Sequence, residues 1–161
     1  MANGTHKYTL SCLVENHFGV LARIAGLISA RGFNIDSLAV STTEDPTVSR
    51  MTIVVDADPI KLEQVKNQLN RLIDVIDVKE LKDGAYLDRE LLLVRVKTRP
   101  DRQRELEALL KHFDAKIADV FDGSVVVQAI GTPSTLNQLI EQLRGWGITA
   151  LVRTGRVALE R

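Results

Sequence analysis

The stretch Glu15-Asn16-His17-Phe18-Gly19 carries the residue types best suited to hold a small ligand. It leads from an alternating, strand-like run directly into an apolar helical pattern, so it ends at a helix N-terminus. The first N–H groups of a helix have no partner within it. They carry a partial positive charge and suit an anion such as a carboxylate. That dipole is worth only ~0.3–1 kcal/mol in an exposed setting, so other groups must help. Gly19 lets the backbone approach a ligand closely, and Asn16 offers a side-chain donor and an acceptor. A second polar residue, Asn34, stands at the start of a later strand, where it can meet an ammonium or a carboxylate. Read as residues alone, both segments also suit an ordinary tight turn and an ordinary strand entry, and these readings stay open. No Ser–His–Asp set, no metal-spaced His/Cys set and no Gly-rich nucleotide motif occurs. His6, His17 and His112 are far apart in sequence, and each is expected at the surface.

The elements that position these residues follow from periodicity. Residues 7–14 alternate, with Tyr8, Leu10, Cys12 and Val14 on one face and Thr9 and Ser11 on the other. Val20, Leu21, Ile24, Leu27 and Ile28 have helical spacing, which Gly32 closes. Strands are expected at 33–42 and 48–56, joined by the turn Glu44-Asp45-Pro46-Thr47. Asp58-Pro59 opens a helix carrying Leu62, Val65, Leu69 and Leu72, and a strand follows at 75–81. Lys82-Asp83-Gly84-Ala85 breaks the pattern, and 82–88 reads as a linker. The same order then repeats. A strand runs from Leu91 to Lys97. Pro100-Asp101 opens a helix with Leu106, Leu109, Leu110 and Phe113 inward. Strands at 116–121 and 124–130 turn at Asp122-Gly123. Thr132-Pro133 opens a helix with Leu136, Leu139, Ile140 and Leu143 inward, Gly145 stops it, and a strand covers 148–153. Arg153 to Arg161 reads as a short basic tail.

Strand, helix, strand, strand, helix, strand is the ferredoxin-like split motif. The expected fold class is therefore α+β: two βαββαβ units at 1–81 and 89–161, each an antiparallel sheet with helices on one face. A bare sheet face and an open edge on so small a unit favour pairing with another copy. Lys plus Arg equals Asp plus Glu at 21 each, which disfavours a general nucleic-acid binder. An RRM-type RNA module is disfavoured further, because strand 48–56 has no aromatic on which a base can stack. The single cysteine, Cys12, excludes an intramolecular disulfide framework and reads as a small buried hydrophobe. No apolar run approaches the ~18 residues of a membrane span, and Met1 to Lys7 does not read as a secretory signal. The expected compartment is the reducing cytoplasm.

Three segments together resemble the small, regulatory subunit of acetolactate synthase, a member of the ACT domain family. They are Glu15-Asn16-His17-Phe18-Gly19-Val20-Leu21-Ala22-Arg23, Arg31-Gly32-Phe33-Asn34-Ile35-Asp36-Ser37-Leu38 and Asp45-Pro46-Thr47-Val48-Ser49-Arg50-Met51-Thr52. Leu72-Ile73-Asp74-Val75 fits as well. The first turn is general to ACT domains; the second and third, in this order and spacing, are more specific. The resemblance implies that 1–81 is an ACT domain and that the chain has no active site of its own. It implies a homodimer through the ACT domains and a catalytic large subunit as partner, which the small subunit activates and makes sensitive to feedback inhibition by valine. Thiamine diphosphate, FAD and Mg are implied on that partner, with no cofactor or metal on this chain. Carried over by motif position, the valine site would comprise Asn16, His17, Phe18, Gly19, Val20, Leu21, Asn34 and Ile35, drawn from the turn of one protomer and the second strand of the other. Leu21 and Ile35 would wall an apolar pocket. One methylene in such a pocket is worth only ~1–3 kcal/mol, so residue types do not fix which branched-chain amino acid binds. Two other readings compete with it. An ACT-type sensor for a different metabolic enzyme shares the turn. An acylphosphatase-like enzyme would use Gly19 to Arg23 as a phosphate loop, with Arg23 holding the phosphate.

Overall fold

The computed structural model describes residues 6–161; the Met1–Thr5 part of the N-terminal reading lies outside them. Its elements are β1 (His6–Glu15), α1 (Val20–Ala30), β2 (Asn34–Thr42), β3 (Val48–Ala57), α2 (Pro59–Leu69), β4 (Val75–Leu81), β5 (Tyr86–Lys97), α3 (Gln103–His112), β6 (Lys116–Phe121), β7 (Ser124–Gly131), α4 (Pro133–Leu143), β8 (Ile148–Arg153) and β9 (Val157–Glu160). Two antiparallel sheets result, with strand orders β2-β3-β1-β4 and β6-β7-β5-β8, while β9 pairs β5. The fold is α+β, built from two βαββαβ units.

By contact the chain divides into one unit of 1–87 with 156–161, and a second of 88–155. The first packs Leu10, Cys12 and Val14 of β1 against Ile24 and Ile28 of α1, Leu62, Val65 and Leu69 of α2, and Met51, Ile53 and Val55 of β3. The second packs Leu92, Val94 and Val96 of β5 against Leu106 and Leu110 of α3 and Leu136, Leu139 and Leu143 of α4, with Trp146. Each fully buried Leu, Ile or Val contributes roughly 1.5–3 kcal/mol against leaving it exposed, so aliphatic residues sustain both cores without aromatic bulk. Local chemistry starts the helices as expected. The Asp58 carboxylate accepts from the Lys61 N–H at 2.8 Å ahead of Pro59, and the Thr132 hydroxyl accepts from Thr135 N–H at 3.3 Å ahead of Pro133.

Several expectations are corrected. Helix α2 stops at Leu69; Leu72 keeps the helical spacing but lies in a turn closed by Leu72 N–H to Leu69 carbonyl and Val75 N–H to Leu72 carbonyl, both at 3.0 Å. Strand β5 begins at Tyr86 rather than Leu91, so strand pairing reaches into the residues read as linker. Pro100-Asp101-Arg102 forms a single 3-10 turn before α3. After α4 another 3-10 turn, Arg144–Trp146, precedes Gly147, whose φ of 78° makes the reversal expected at Gly145.

The largest correction concerns the sheet face away from the helices in the first unit, expected to be bare. Thr9 and Ser11 of β1 and Thr52 and Val54 of β3 lie on that face and are 3%, 5%, 4% and 3% exposed. The residues read as a basic tail cover them. The Arg156 guanidinium donates to Thr9 Oγ1 (2.6 Å) and to the Tyr86 hydroxyl (3.2 Å), and its backbone N–H donates to Ser37 Oγ (3.4 Å). Glu160 pairs with Lys79 at 3.0 Å, and the Arg161 N–H donates to the Ala85 carbonyl at 3.0 Å.

Candidate ligand-binding site

Gly19 makes the turn into α1. It stands immediately before the helix with φ 87° and ψ −12°, a left-handed conformation that costs an L-residue roughly 1–2 kcal/mol. Its carbonyl accepts the first helical bond, from Arg23 N–H at 3.0 Å, and Val20 N–H reaches the His17 carbonyl at 3.5 Å. The N–H groups of Leu21 and Ala22 find no acceptor among the described residues, so they remain available to an anion.

Asn16 ties the turn to the β2–β3 loop. Its backbone N–H donates to the Thr47 carbonyl at 2.7 Å, and its side-chain amide donates to the Pro46 carbonyl at 2.9 Å. The loop is itself fixed by Asp45, whose carboxylate accepts from Thr47 Oγ1 (2.6 Å) and Thr47 N–H (2.8 Å). Those two bonds hold the Asp45 carboxyl below the usual carboxylate range. With one side-chain N–H and the backbone N–H engaged, Asn16 keeps its side-chain oxygen free to accept from an ammonium.

Beside the turn lies a charged cluster. Asp74, 5% exposed, is bound by the Arg23 guanidinium. His17 Nε2 lies 3.0 Å from Asp74 Oδ1 and 3.2 Å from Glu15 Oε2, while His17 Nδ1 sits 3.2 Å from the Phe18 carbonyl. Both ring nitrogens thus face acceptors, and the His17 pKa is raised, first by the Phe18 carbonyl and then by Asp74 and Glu15, against partial desolvation. Glu15, His17 and Asp74 bring one potential metal-ligand atom each within 4.8 Å of one another. The Arg23 guanidinium already supplies a cation to Asp74, so the cluster reads as an ion-pair network bracing the turn. Arg23 is thereby committed away from the phosphate-holding role of the acylphosphatase-like reading. The bracing parts of Arg23, Glu15 and Asp74 are not legible in sequence: Arg23 and Asp74 are 51 positions apart, although both fall within the motif segments.

The remaining expected residues are placed unequally. Phe18 is 101% exposed and Leu21 44% exposed, so both present apolar surface next to the turn. The Val20 side chain, 3% exposed, belongs to the core, and only its backbone faces the turn. Asn34 is exposed and Ile35 half-buried, at the first positions of β2. In register, Asn34 lies opposite Asp56, which in turn lies opposite Lys7, whereas the turn follows Glu15, opposite Val48. Eight residue steps along β1 separate Lys7 from Glu15, about 26 Å at ~3.3 Å per residue. One chain therefore carries the Asn16–Leu21 turn and the Asn34–Ile35 strand entry at opposite ends of the same sheet.

Known proteins give a consistent picture. Residues 10–77 match the family model of the AHAS small subunit-like ACT domain, and residues 89–161 match that of the small subunit of acetolactate synthase. A probable acetolactate synthase small subunit of Archaeoglobus fulgidus is 46% identical over 155 residues, covering 96% of this chain and 97% of the relative. The acetolactate synthase small subunit of Mycolicibacterium smegmatis is 43% identical over 161 residues, covering 100% and 95%. The crystal structure of the acetolactate synthase small subunit from Thermotoga maritima superposes with a TM-score of 0.89 at 32% identity, covering 97% of this chain and 98% of that one.

Proposed function

This chain belongs to the acetolactate synthase small-subunit family, with a regulatory ACT domain, and from that premise we propose that it binds the catalytic large subunit, raises its activity and makes it subject to feedback inhibition by valine. In this reading the chain is non-catalytic and acts in the cytoplasm. Thiamine diphosphate, FAD and Mg act on the large subunit, and no step of the reaction is carried by residues of this chain.

The observation that supports the valine reading best is the separation of the two half-sites. The Asn16–Leu21 turn and Asn34 are both open, yet lie about 26 Å apart along the sheet. An antiparallel pairing of two copies through ACT domains would bring the turn of one protomer to the strand entry of the other, twice, by symmetry. Free Leu21 and Ala22 N–H groups would take the valine carboxylate, side-chain oxygens of Asn16 and the partner's Asn34 would take its ammonium, and Leu21 with the partner's Ile35 would enclose the isopropyl group. Valine then stabilises the dimer geometry in which both halves meet. Regulation requires only that this geometry and its alternative differ in their effect on the bound catalytic subunit.

Reconstitution with the catalytic subunit tests this reading. Acetolactate formation should rise on adding the chain and fall on adding valine. Gly19→Asp puts a negative charge where the carboxylate binds, and Asn34→His crowds the ammonium side. Both should abolish valine inhibition while leaving activation in place. Full valine sensitivity in either variant would overturn the site.

A further inference from the structure

The third sequence motif contributes two residues, Arg50 and Thr52, that the proposed valine site does not use. Both stand on the outer face of the first unit's sheet. There β9 leaves a groove of ≈ 310 Å³, lined by Ala39, Ser41, Arg50 and Thr52 of the sheet and by Val157 and Leu159 of β9, with Glu44 also on its lining. The Arg50 guanidinium is part-buried and makes one hydrogen bond, to Ser11 Oγ at 3.1 Å. Among the described residues no carboxylate lies within ion-pair distance of it. Two nearby acids are drawn to Lys79 instead: Glu160 is 3.0 Å from its ammonium, and Asp77 raises its pKa further while Arg50 opposes this; Glu44, exposed at the groove's rim, makes no ion pair with Arg50. Arg50 therefore holds four of its five donors unspent in a setting where a part-buried cation calls for an anion. Thr52 adds a hydroxyl to the groove lining. It is 4% exposed, it lines the groove, and its side chain makes no hydrogen bond among the described residues.

We propose that this groove is a second ligand site, taking a short aliphatic carboxylate. The carboxylate lies on the Arg50 guanidinium with the Thr52 and Ser41 hydroxyls as further donors, and its alkyl part rests between Ala39, Val157 and Leu159. The volume lies at the lower end of the usual range for small-molecule sites. Phosphate would meet the cation but not the apolar wall, so the alkyl chain distinguishes the two anions. The site lies within one chain and stands whether or not the turn binds valine. Because β9 forms one wall, a bound carboxylate would also hold the C-terminal strand on the sheet.

The test titrates isobutyrate, isobutyramide and inorganic phosphate into the isotopically labelled full chain and follows backbone amide shifts. Isobutyrate should move Thr52, Ser41 and Ala158 in a saturable way, and the isosteric neutral amide should not. Phosphate should bind more weakly. Arg50→Gln should weaken isobutyrate about tenfold or more, the effect of losing a charge-assisted hydrogen bond. Ser41→Phe, which fills the groove from an exposed position and keeps Arg50, should abolish binding, which covers the case in which Arg50→Gln disturbs the sheet. Equal shifts from acid and amide, a stronger response to phosphate, or undiminished isobutyrate binding in Ser41→Phe would each overturn the proposal.

Discussion

Alanine substituted for Gly19 and for Gly26, seven residues apart, should act with opposite signs. At neither position does an added Cβ meet an atom within 4 Å, so packing does not contribute and only backbone conformation decides. Gly19 has φ 87°, where an L-side chain costs roughly 1–2 kcal/mol. Gly26 lies inside α1, is solvent-exposed and has no positive φ, and there alanine gains about 0.5–1 kcal/mol over glycine. The two variants should thus straddle the parent, separated by about 1.5–3 kcal/mol. In a domain of this size each kcal/mol moves Tm by about 4–8 °C. Urea unfolding of the full chain, followed by far-UV circular dichroism, gives the free energies directly. Gly19→Asn should fall between Gly19→Ala and the parent, because asparagine tolerates the left-handed region better than other residues. If Gly19→Ala were as stable as the parent, or if both alanine variants moved the same way, the turn geometry assigned to residue 19 would be wrong.

Three further outcomes follow from the packing and electrostatics. The His17 pKa is raised above 6.5, so the ion pairs it makes contribute stability fully below about pH 6.5 and lose it as pH rises through the folded-state value. An NMR titration should place the His17 midpoint above that of His17 in the urea-unfolded chain, with Asp74→Asn lowering it; equal midpoints would dismiss the cluster. The Cys12 thiol is fully buried, and burial, with a smaller effect of Asp77, pushes its pKa up to about 12. It should therefore resist a thiol reagent at pH 8 until urea unfolds the first unit, and labelling at the rate of a free thiol would contradict its place in the core. Leu139→Ala, at a fully buried position, should cost about 2–5 kcal/mol, read from the fluorescence of Trp146 in the same core; a loss under 1 kcal/mol would mean that α4 is packed otherwise.

Much of this fold is legible in the sequence, because its elements combine uninterrupted periodicity with strong end signals. Leu10, Cys12 and Val14 alternate cleanly, and Asp58-Pro59 and Thr132-Pro133 cap and start helices through contacts made within three residues. Illegible features depend on distant partners. Leu72 satisfies the helical spacing, yet the chain has already turned there, and periodicity cannot register a reversal made by backbone bonds. β9 spans four residues, too few for a pattern, and it is held by Arg156 reaching Thr9 across 147 positions. The candidate site divides in the same way. Asn16, Gly19 and Asn34 declare themselves by residue type next to a helix start or a strand entry. The bracing of the turn by Asp74 and Arg23 is a contact between distant segments, and so is the anchorage of Asn16 on Pro46.

The central claim, an effector site shared between two copies, is tested most directly by mixing two inactive variants. Gly19→Asp spoils the turn and Asn34→His spoils the strand entry. Each homodimer should bind no valine by calorimetry. In a mixed dimer, the intact turn of the Asn34→His chain meets the intact strand of the Gly19→Asp chain, restoring one of two symmetric sites. After unfolding and refolding an equimolar mixture, half the dimers are mixed, and roughly a quarter of the wild-type valine capacity should return with wild-type affinity. A mixture that binds no more valine than its separate components would contradict a shared site.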